Sequence, residues 1–138
     1  MREATFFLGS LISLLFGGWH LFLTILAIVQ LLSLITMVLN QANQGKLDNS
    51  QIKTELLGQV GNFILVVLAH FVDIVLFQGS SVVQNAVVLF LIGGEGLQIL
   101  ENLSNLGLEI PTYLSKYLKN IKDNEEQSAQ ESEKKELD

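Results

Sequence analysis

The feature that most constrains this chain is a long segment without charge. Between Ala4 and Gly45 the sequence contains no Asp, Glu, Lys or Arg. A helix of a water-soluble domain needs a charged or polar face toward solvent, and such a face is missing over this length. The uncharged segment therefore favours a membrane protein over a soluble domain.

The apolar runs can be compared with the thickness of a bilayer, whose hydrocarbon core of about 30 Å is crossed by about 20 helical residues. Runs 21–39, 60–77 and 82–100 have the required length and hydrophobicity. We therefore predict an all-α integral membrane protein with three transmembrane helices in a domain spanning residues 21–110. Only residues 78–81 separate the second and third runs, which predicts an antiparallel helical hairpin.

The N-terminal segment, residues 1–20, is apolar but short. Its apolar stretch 6–16 is followed by Gly17, Gly18 and Trp19, and Trp favours the boundary between headgroups and hydrocarbon. We predict an interfacial or re-entrant segment. Two alternatives stay open, a short fourth membrane segment or a continuation of the first helix into one long, tilted helix.

Lysines mark one side of the predicted bundle. Lys46 and Lys53 lie between the first and second runs, and Lys116, Lys119 and Lys122 follow the third run. Positively charged loops face the cytoplasm. We therefore predict a multi-pass membrane protein with a cytoplasmic C-terminus.

The C-terminal region divides into two segments. Residues 111–122 begin with Pro111, which suits a first helical turn, and their apolar residues recur at helical spacing, so we predict an amphipathic cytoplasmic helix on the membrane surface. Residues 123–138 hold seven acidic residues and two lysines, which account for −5 of the formal net charge of −6. We predict that they form a disordered acidic tail.

Composition and spacing argue against several functions. The chain has no cysteine, which excludes disulfides and thiolate metal sites, and no basic stripe that would bind nucleic acid. His70 and Asp73 have the spacing of half a metal site, but no further His or Cys lies near them, so we predict neither metal nor cofactor. An enzyme needs a nucleophile and a base at one depth, and no such arrangement is visible, so we assign no catalytic residue.

Polar side chains follow one side of each apolar run, because residues separated by about 100° per position align on a helix. They either bond between helices, which is worth about 0.6 kcal/mol per contact, or line a pore. The carboxylates Asp73 and Glu95 additionally need a partner, protonation or water inside a membrane. The hairpin places Glu95 near the depth of Asn62, and Asp73 at a different depth close to Gln84. The candidates are Ser33, Thr36, Asn62, His70, Asp73, Gln84, Glu95, Gln98 and Asn102.

The third run ends in two motifs, E-G-x-x-I-L-E-N from Glu95 and L-G-x-x-I-P from Leu106. They resemble the phage lysis and toxin-secretion holins. Gly45-Lys46-Leu47 and Ala69-His70-x-x-Asp73 are similar to the G-K-L and A-H-x-x-D of that family, so the resemblance covers roughly residues 31–121. The motif residues are Glu95, Gly96, Glu101, Asn102, Gly107 and Pro111.

The resemblance implies a small protein that forms homo-oligomers in the lipid bilayer of the bacterial inner membrane. Such proteins abruptly open lesions that release an endolysin or a toxin, without stable contact with the released protein. Where the family often has D-Y-x-T-G, this chain has Ser33-Leu34-Ile35-Thr36-Met37 and keeps only the threonine. An antiholin that inhibits a hole former therefore stays open, as does a small channel or transporter supported by Asp73 and Glu95.

Overall fold

Five α-helices make up the computed structural model, which describes residues 1–137. They are α1 (Arg2–Phe16), α2 (Leu21–Asn43), α3 (Asn49–Phe77), α4 (Val82–Asn105) and α5 (Thr112–Leu137), and residues 1–137 contain no strand. Helices α2, α3 and α4 are each long and apolar enough to cross a membrane. The predicted all-α architecture with three candidate spans is confirmed at this level.

The three long helices extend beyond the predicted runs 21–39, 60–77 and 82–100. Helix α2 continues to Asn43 and α3 begins at Asn49, so only residues 44–48 connect them. Asp48 starts α3, since its carboxylate accepts a hydrogen bond from the backbone N–H of Ser50 at 2.9 Å. The segments that extend the helices beyond the predicted runs contain Gln, Glu and Lys, which are good helix formers although they are polar. Hydrophobicity therefore marks the apolar part of each helix and not its ends.

Helix α1 is separate from α2. It ends at Gly17, whose φ of 72° is a left-handed conformation that glycine adopts without strain. The following Trp19 donates a hydrogen bond to the Thr24 hydroxyl at 2.8 Å, and its ring stacks on Phe63 of α3 with centroids 6.5 Å apart. The alternative in which the N-terminal segment continues the first helix is therefore excluded, because the glycine backbone and the aromatic contacts fix a break between α1 and α2.

The bundle core is formed where α2, α3 and α4 meet. Helices α2 and α4 run in the same direction and α3 runs against them, as the hairpin between α3 and α4 requires. The buried apolar side chains are Leu23, Leu26, Val66, Val88 and Leu91. Exposed apolar side chains cover the outside, including Ile28, Leu31, Ile35 and Leu39 on α2 and Leu57, Val60, Ile64 and Leu68 on α3. Such an exterior is suited to contact with lipid.

The C-terminal region differs from the prediction. Residues 112–137 form one helix, so the predicted disordered tail is helical as far as Leu137, and Asp138 lies outside the described residues. Glu, Gln and Lys favour helix even without burial. Glu131 and Lys135 also have the i, i+4 spacing at which opposite charges stabilise a helix. The low hydrophobicity of this segment therefore predicts that it makes few contacts with a core, but it does not predict that the segment is unstructured.

Helix α5 packs along α4 through a narrow contact at two glycines. A Cβ added at Gly96 would lie 2.9 Å from a methyl carbon of Leu118, and one added at Gly93 would lie 3.0 Å from the Leu118 carbonyl oxygen and 3.1 Å from the backbone nitrogen of Lys122. The Lys122 ammonium lies 5.5 Å from the ring centre of Phe90. Exposed apolar side chains in the first half of α5 are Tyr113, Leu114, Tyr117 and Ile121. The apolar face of α5 is thus free.

Candidate functional site

Buried polar and apolar residues alternate in the same order along α2, α3 and α4, which divides the bundle into three layers. The hairpin layer, next to the α3–α4 connection, contains His20, His70, Asp73 and Gln84. The apolar layer contains Leu23, Leu26, Val66, Val88 and Leu91. The central polar layer contains Ser33, Thr36, Asn62, Glu95, Gln98 and Asn102. The predicted site residues therefore form two groups with the apolar layer between them.

Asp73 joins α3 to the first turn of α4. Its side chain is completely buried, and its two carboxylate oxygens accept hydrogen bonds from the backbone N–H groups of Val83 at 2.8 Å and Gln84 at 2.9 Å. Ser81 occupies the N-cap position of α4 but makes no capping bond with its side chain. Because the first N–H groups of a helix lack partners within it and attract negative charge, Asp73 takes over the capping role.

Gln84 connects the ends of α1 and α2 to α4. Its amide nitrogen donates a hydrogen bond to the carbonyl oxygen of Phe16 at 2.8 Å, and its amide oxygen lies 3.5 Å from Nε2 of His20. The Phe16 carbonyl belongs to the last turn of α1, where no partner within the helix is available. Gln84 therefore satisfies a helix end inside the bundle.

His70 lies against the end of α1. A Cβ added at Gly17 would be 2.6 Å from Cε1 of His70. Position 17 therefore requires glycine for two reasons, the space taken by the His70 ring and the left-handed backbone conformation. His70 is 7% exposed, and its Nδ1 is buried without a hydrogen-bond partner among residues 1–137. Within the same residues, no group of three or more His, Cys, Asp or Glu could hold a metal ion.

Glu95 and Asn62 meet in the central polar layer. The amide nitrogen of Asn62 donates a hydrogen bond to Oε1 of Glu95 at 3.2 Å, which confirms the predicted neighbourhood of the two residues. The second carboxylate oxygen of Glu95 is buried and unpartnered in the described part of the chain, as is the hydroxyl of Ser33. A buried polar group without a partner is unfavourable. Glu95 thus has one well-formed hydrogen bond within a single chain, and the Ser33 hydroxyl is a neighbour of its carboxylate.

Two further contacts of this layer tie α4 to α2 and α3. The Asn102 amide donates to the Thr36 hydroxyl at 3.1 Å, and the Gln98 amide donates to the Glu55 carboxylate at 3.4 Å. Sequence reasoning placed Asn102, Thr36 and Gln98 on inward faces but missed Glu55. The signal was available, since Glu55 and Asn62 are seven positions apart and therefore share a face of α3.

A polar cavity of about 450 Å³ adjoins the central polar layer. It is lined by Gln98 and Asn102 on the inside and by Gln41, Gln51 and Glu101 toward the end of the bundle where α2 passes into α3. Glu101 is exposed, in contrast to Asn102 beside it. The apolar layer separates this cavity from the hairpin layer.

The remaining motif residues form the turn between α4 and α5. Gly107 has a φ of 92°, which explains the need for glycine, and the next N–H, of Leu108, donates to the Leu103 carbonyl at 3.2 Å. Pro111 immediately precedes α5. These two residues therefore shape the α5 connection and do not belong to either polar layer.

Comparisons with known proteins identify the family and several relatives of this chain. The family model described as "Bacteriophage holin family" matches residues 10–123. YqxH, an uncharacterized protein of Bacillus subtilis strain 168, is 32% identical over 120 residues, covering 87% of this chain and 84% of its own. CPE0383, an uncharacterized protein of Clostridium perfringens strain 13, is 31% identical over 116 residues, covering 83% and 85%.

One relative has a functional name. A "Probable holin" of Bacillus phage phi105 is 25% identical over 112 residues, covering 81% of this chain and 82% of its own. No solved structure matches the chain. Three helices of sufficient length and hydrophobicity, together with the family match, indicate a multi-pass membrane protein. The chain belongs to the bacteriophage holin family.

Proposed function

We propose that this protein is a holin that self-associates in the bacterial cytoplasmic membrane and opens lesions through which an endolysin or a toxin leaves the cell. The observation that carries the proposal is the Asn62–Glu95 contact, which places a carboxylate in the central polar layer of a bundle whose exterior is apolar. The family match and the phage phi105 relative support the same function.

The central polar layer gives the proposal a mechanism. In one chain its side chains bond to one another, so that few of them meet lipid. In a large assembly the same faces turn toward water at the rim of a lesion, and Glu95, Gln98 and Asn102 become hydrated. The apolar exterior of α2 and α3 stays in lipid in both states. Opening is then a population shift between two assemblies, driven by concentration or by membrane potential.

Helix α5 must move when α4 spans the membrane. In the structure Lys122 lies beside Gly93, in the middle of α4. A charged Lys at the centre of a bilayer costs about 2.5 to 3.5 kcal/mol even on permissive scales, and α5 carries further charges on either side. We therefore propose that α5 leaves α4 on insertion and lies on the cytoplasmic surface, with its exposed apolar face in the interface.

The layered interior disfavours a selective channel within one chain. A continuous path needs polar groups along its whole length, whereas the apolar layer of Leu26, Val66 and Val88 separates the two polar layers. Asp73 is engaged by two backbone N–H groups and is not available to bind a solute. A pathway for water therefore requires an assembly of several chains.

The proposal is tested by inducible expression in a bacterium with and without a cytoplasmic endolysin. A hole former gives a sudden loss of viability after a fixed delay, and lysis only when endolysin is present. Continued growth despite membrane insertion contradicts the proposal. In that case, co-expression with an active holin identifies an antiholin if it delays lysis by that holin.

A further inference from the structure

Opposite arcs of apolar and basic side chains divide the first half of α5, residues 112–122. At about 100° per residue, five apolar side chains fall on one arc of the helix and three lysines on the opposite arc. The apolar arc consists of Tyr113, Leu114, Tyr117, Leu118 and Ile121. The basic arc consists of Lys116, Lys119 and Lys122. This arrangement is typical of a helix that lies in the interface of a membrane.

Helix α4 contacts the boundary between the two arcs and not the apolar arc itself. Leu118, which lies against Gly96, is at one edge of the apolar arc. Lys122, which lies against Gly93, is at the adjoining edge of the basic arc. Near the centre of the apolar arc, Tyr117 is 64% exposed. Docking on α4 therefore leaves the apolar arc uncovered.

The charge of α5 changes sign along its length. Residues 112–122 contain three lysines and no acidic residue, whereas residues 123–137 contain six acidic residues and two lysines. The change falls between Lys122 and Asp123. The second half also has only Ala129 and Leu137 as apolar residues. An anionic surface would therefore attract the first half of the helix and repel the second half.

The position of α5 in the chain brings it to the membrane surface. Residues 106–111 connect it to α4, and six residues reach at most about 20 Å even when fully extended. The bilayer that α4 crosses is therefore the surface nearest to α5. Tyr113 and Tyr117 pack edge to face with ring centroids 6.5 Å apart, and tyrosine is enriched where hydrocarbon meets the headgroups.

We propose that residues 112–122 are a binding site for anionic phospholipids of the cytoplasmic leaflet, with the basic arc on the lipid phosphates and the apolar arc in the interface. The acidic second half of α5 is then held off the membrane, in the cytoplasm. The inference rests on the proposed release of α5 from α4 and adds the class of lipid that binds the released helix.

Charge complementarity separates this site from a helix that binds any bilayer. An apolar arc alone would bind neutral and anionic membranes equally. Each lysine near an anionic surface favours the bound state about fivefold, and this attraction is screened by salt. The bound fraction of α5 should therefore depend on the lipid charge and on the ionic strength.

Fluorescence of the full-length protein in lipid vesicles tests the proposal. The chain contains no cysteine, so a dye that reports the polarity of its surroundings can be attached to one introduced thiol. Tyr117→Cys places the dye on the apolar arc. Ser128→Cys is the matched control, because it lies eleven positions, or about three turns, further along the same side of the helix, in the acidic half. The vesicles contain phosphatidylcholine with or without phosphatidylglycerol.

We expect the dye at position 117 to move to an apolar environment when phosphatidylglycerol is present and to return to water when salt is raised. The dye at position 128 should stay in water throughout. Replacing both Lys116 and Lys119 by glutamine should lower the ratio of bound to free α5 about 25-fold. The variant Lys134→Gln, Lys135→Gln removes the same charge from the second half and should leave the ratio nearly unchanged.

Three results would overturn the proposal. The first is equal fluorescence at position 117 in neutral and anionic vesicles, which would point to a protein partner for the apolar arc or to α5 remaining on α4. The second is an unchanged ratio after loss of Lys116 and Lys119. The third is a dye at position 128 that responds together with the dye at position 117.

The vesicle measurement does not depend on lysis. A protein that binds phosphatidylglycerol through α5 in vesicles but never lyses cells would uphold this site and contradict the hole-forming function. Lysis by a protein whose α5 ignores lipid charge would contradict this site alone.

Discussion

The carboxylate of Asp73, near the end of α3, caps α4 through the backbone N–H of Gln84 at 2.9 Å. Its other oxygen binds the N–H of Val83 at 2.8 Å, and the carbonyl of the same aspartate accepts a hydrogen bond from Gly79 at 3.1 Å. One residue therefore fixes both the end of α3 and the start of α4. Asp73 lies in a helix that is long and apolar enough to cross a membrane, and its role is to hold the helical hairpin together.

Removing this cap should destabilise the hairpin. Asp73→Ala leaves the N–H groups of Val83 and Gln84 without their partner. Hydrogen bonds to a charged group are worth about 1.5 to 3 kcal/mol each. Asp73→Asn keeps one acceptor oxygen and should therefore lose less stability. The measurement is the free energy of unfolding in detergent micelles, followed by circular dichroism. Asp48→Ala serves as the control, since Asp48 caps α3 at an exposed site and its loss should cost about 1 kcal/mol. An Asp73→Ala protein no less stable than Asp48→Ala would contradict the capping role.

Replacing Glu95 by leucine should separate insertion from lysis. Glu95→Leu removes a polar group from the membrane interior, where a charge costs about 2.5 to 3.5 kcal/mol, so insertion should be unimpaired. Lysis should be strongly delayed or lost, because the proposed rim then presents an apolar side chain to water. The measurement is lysis time at equal amounts of membrane-inserted protein. Glu109→Leu, in the turn after α4, should lyse on the normal schedule; normal timing from Glu95→Leu would refute the assigned role.

The position of α5 in the membrane can be read from thiol labelling. If α5 leaves α4, Lys122→Cys should react with a membrane-impermeant maleimide about as fast as Lys116→Cys near the start of α5, because both lie at the cytoplasmic surface. If α5 stays on α4, position 122 remains beside Gly93 in the middle of the span and is protected. Protection at 122 together with rapid labelling at 116 in inside-out vesicles would contradict the proposed movement.

The sequence predicts the three long helices because membrane thickness imposes a length and a hydrophobicity on each. It also predicts which polar residues face inward, and the Asn62–Glu95 neighbourhood follows from the short connection after Phe77. The role of Asp73 was missed because capping of one helix by another depends on the path of the hairpin. The signal available in the sequence was the connection of only four residues before Val82, which brings Asp73 close to the first turn of α4.

The C-terminal helix shows a second limit to predicting this structure from the sequence. Its apolar residues predict an amphipathic helix, but composition alone does not decide between a helical and a disordered acidic segment, since Glu and Lys suit both. The contact of Leu118 with Gly96 is likewise invisible to periodicity. It depends on how the Gly107 turn directs α5 back along α4.

The central claim is that the inner polar face of α4 meets water only when the lesion opens. The most direct measurement is labelling of Gln98→Cys by a water-soluble thiol reagent before and after lysis is triggered, compared with Ile64→Cys on the exposed apolar side of α3. The account predicts a sharp rise in labelling at position 98 on triggering and none at position 64. Triggered lysis with position 98 still unlabelled would contradict it.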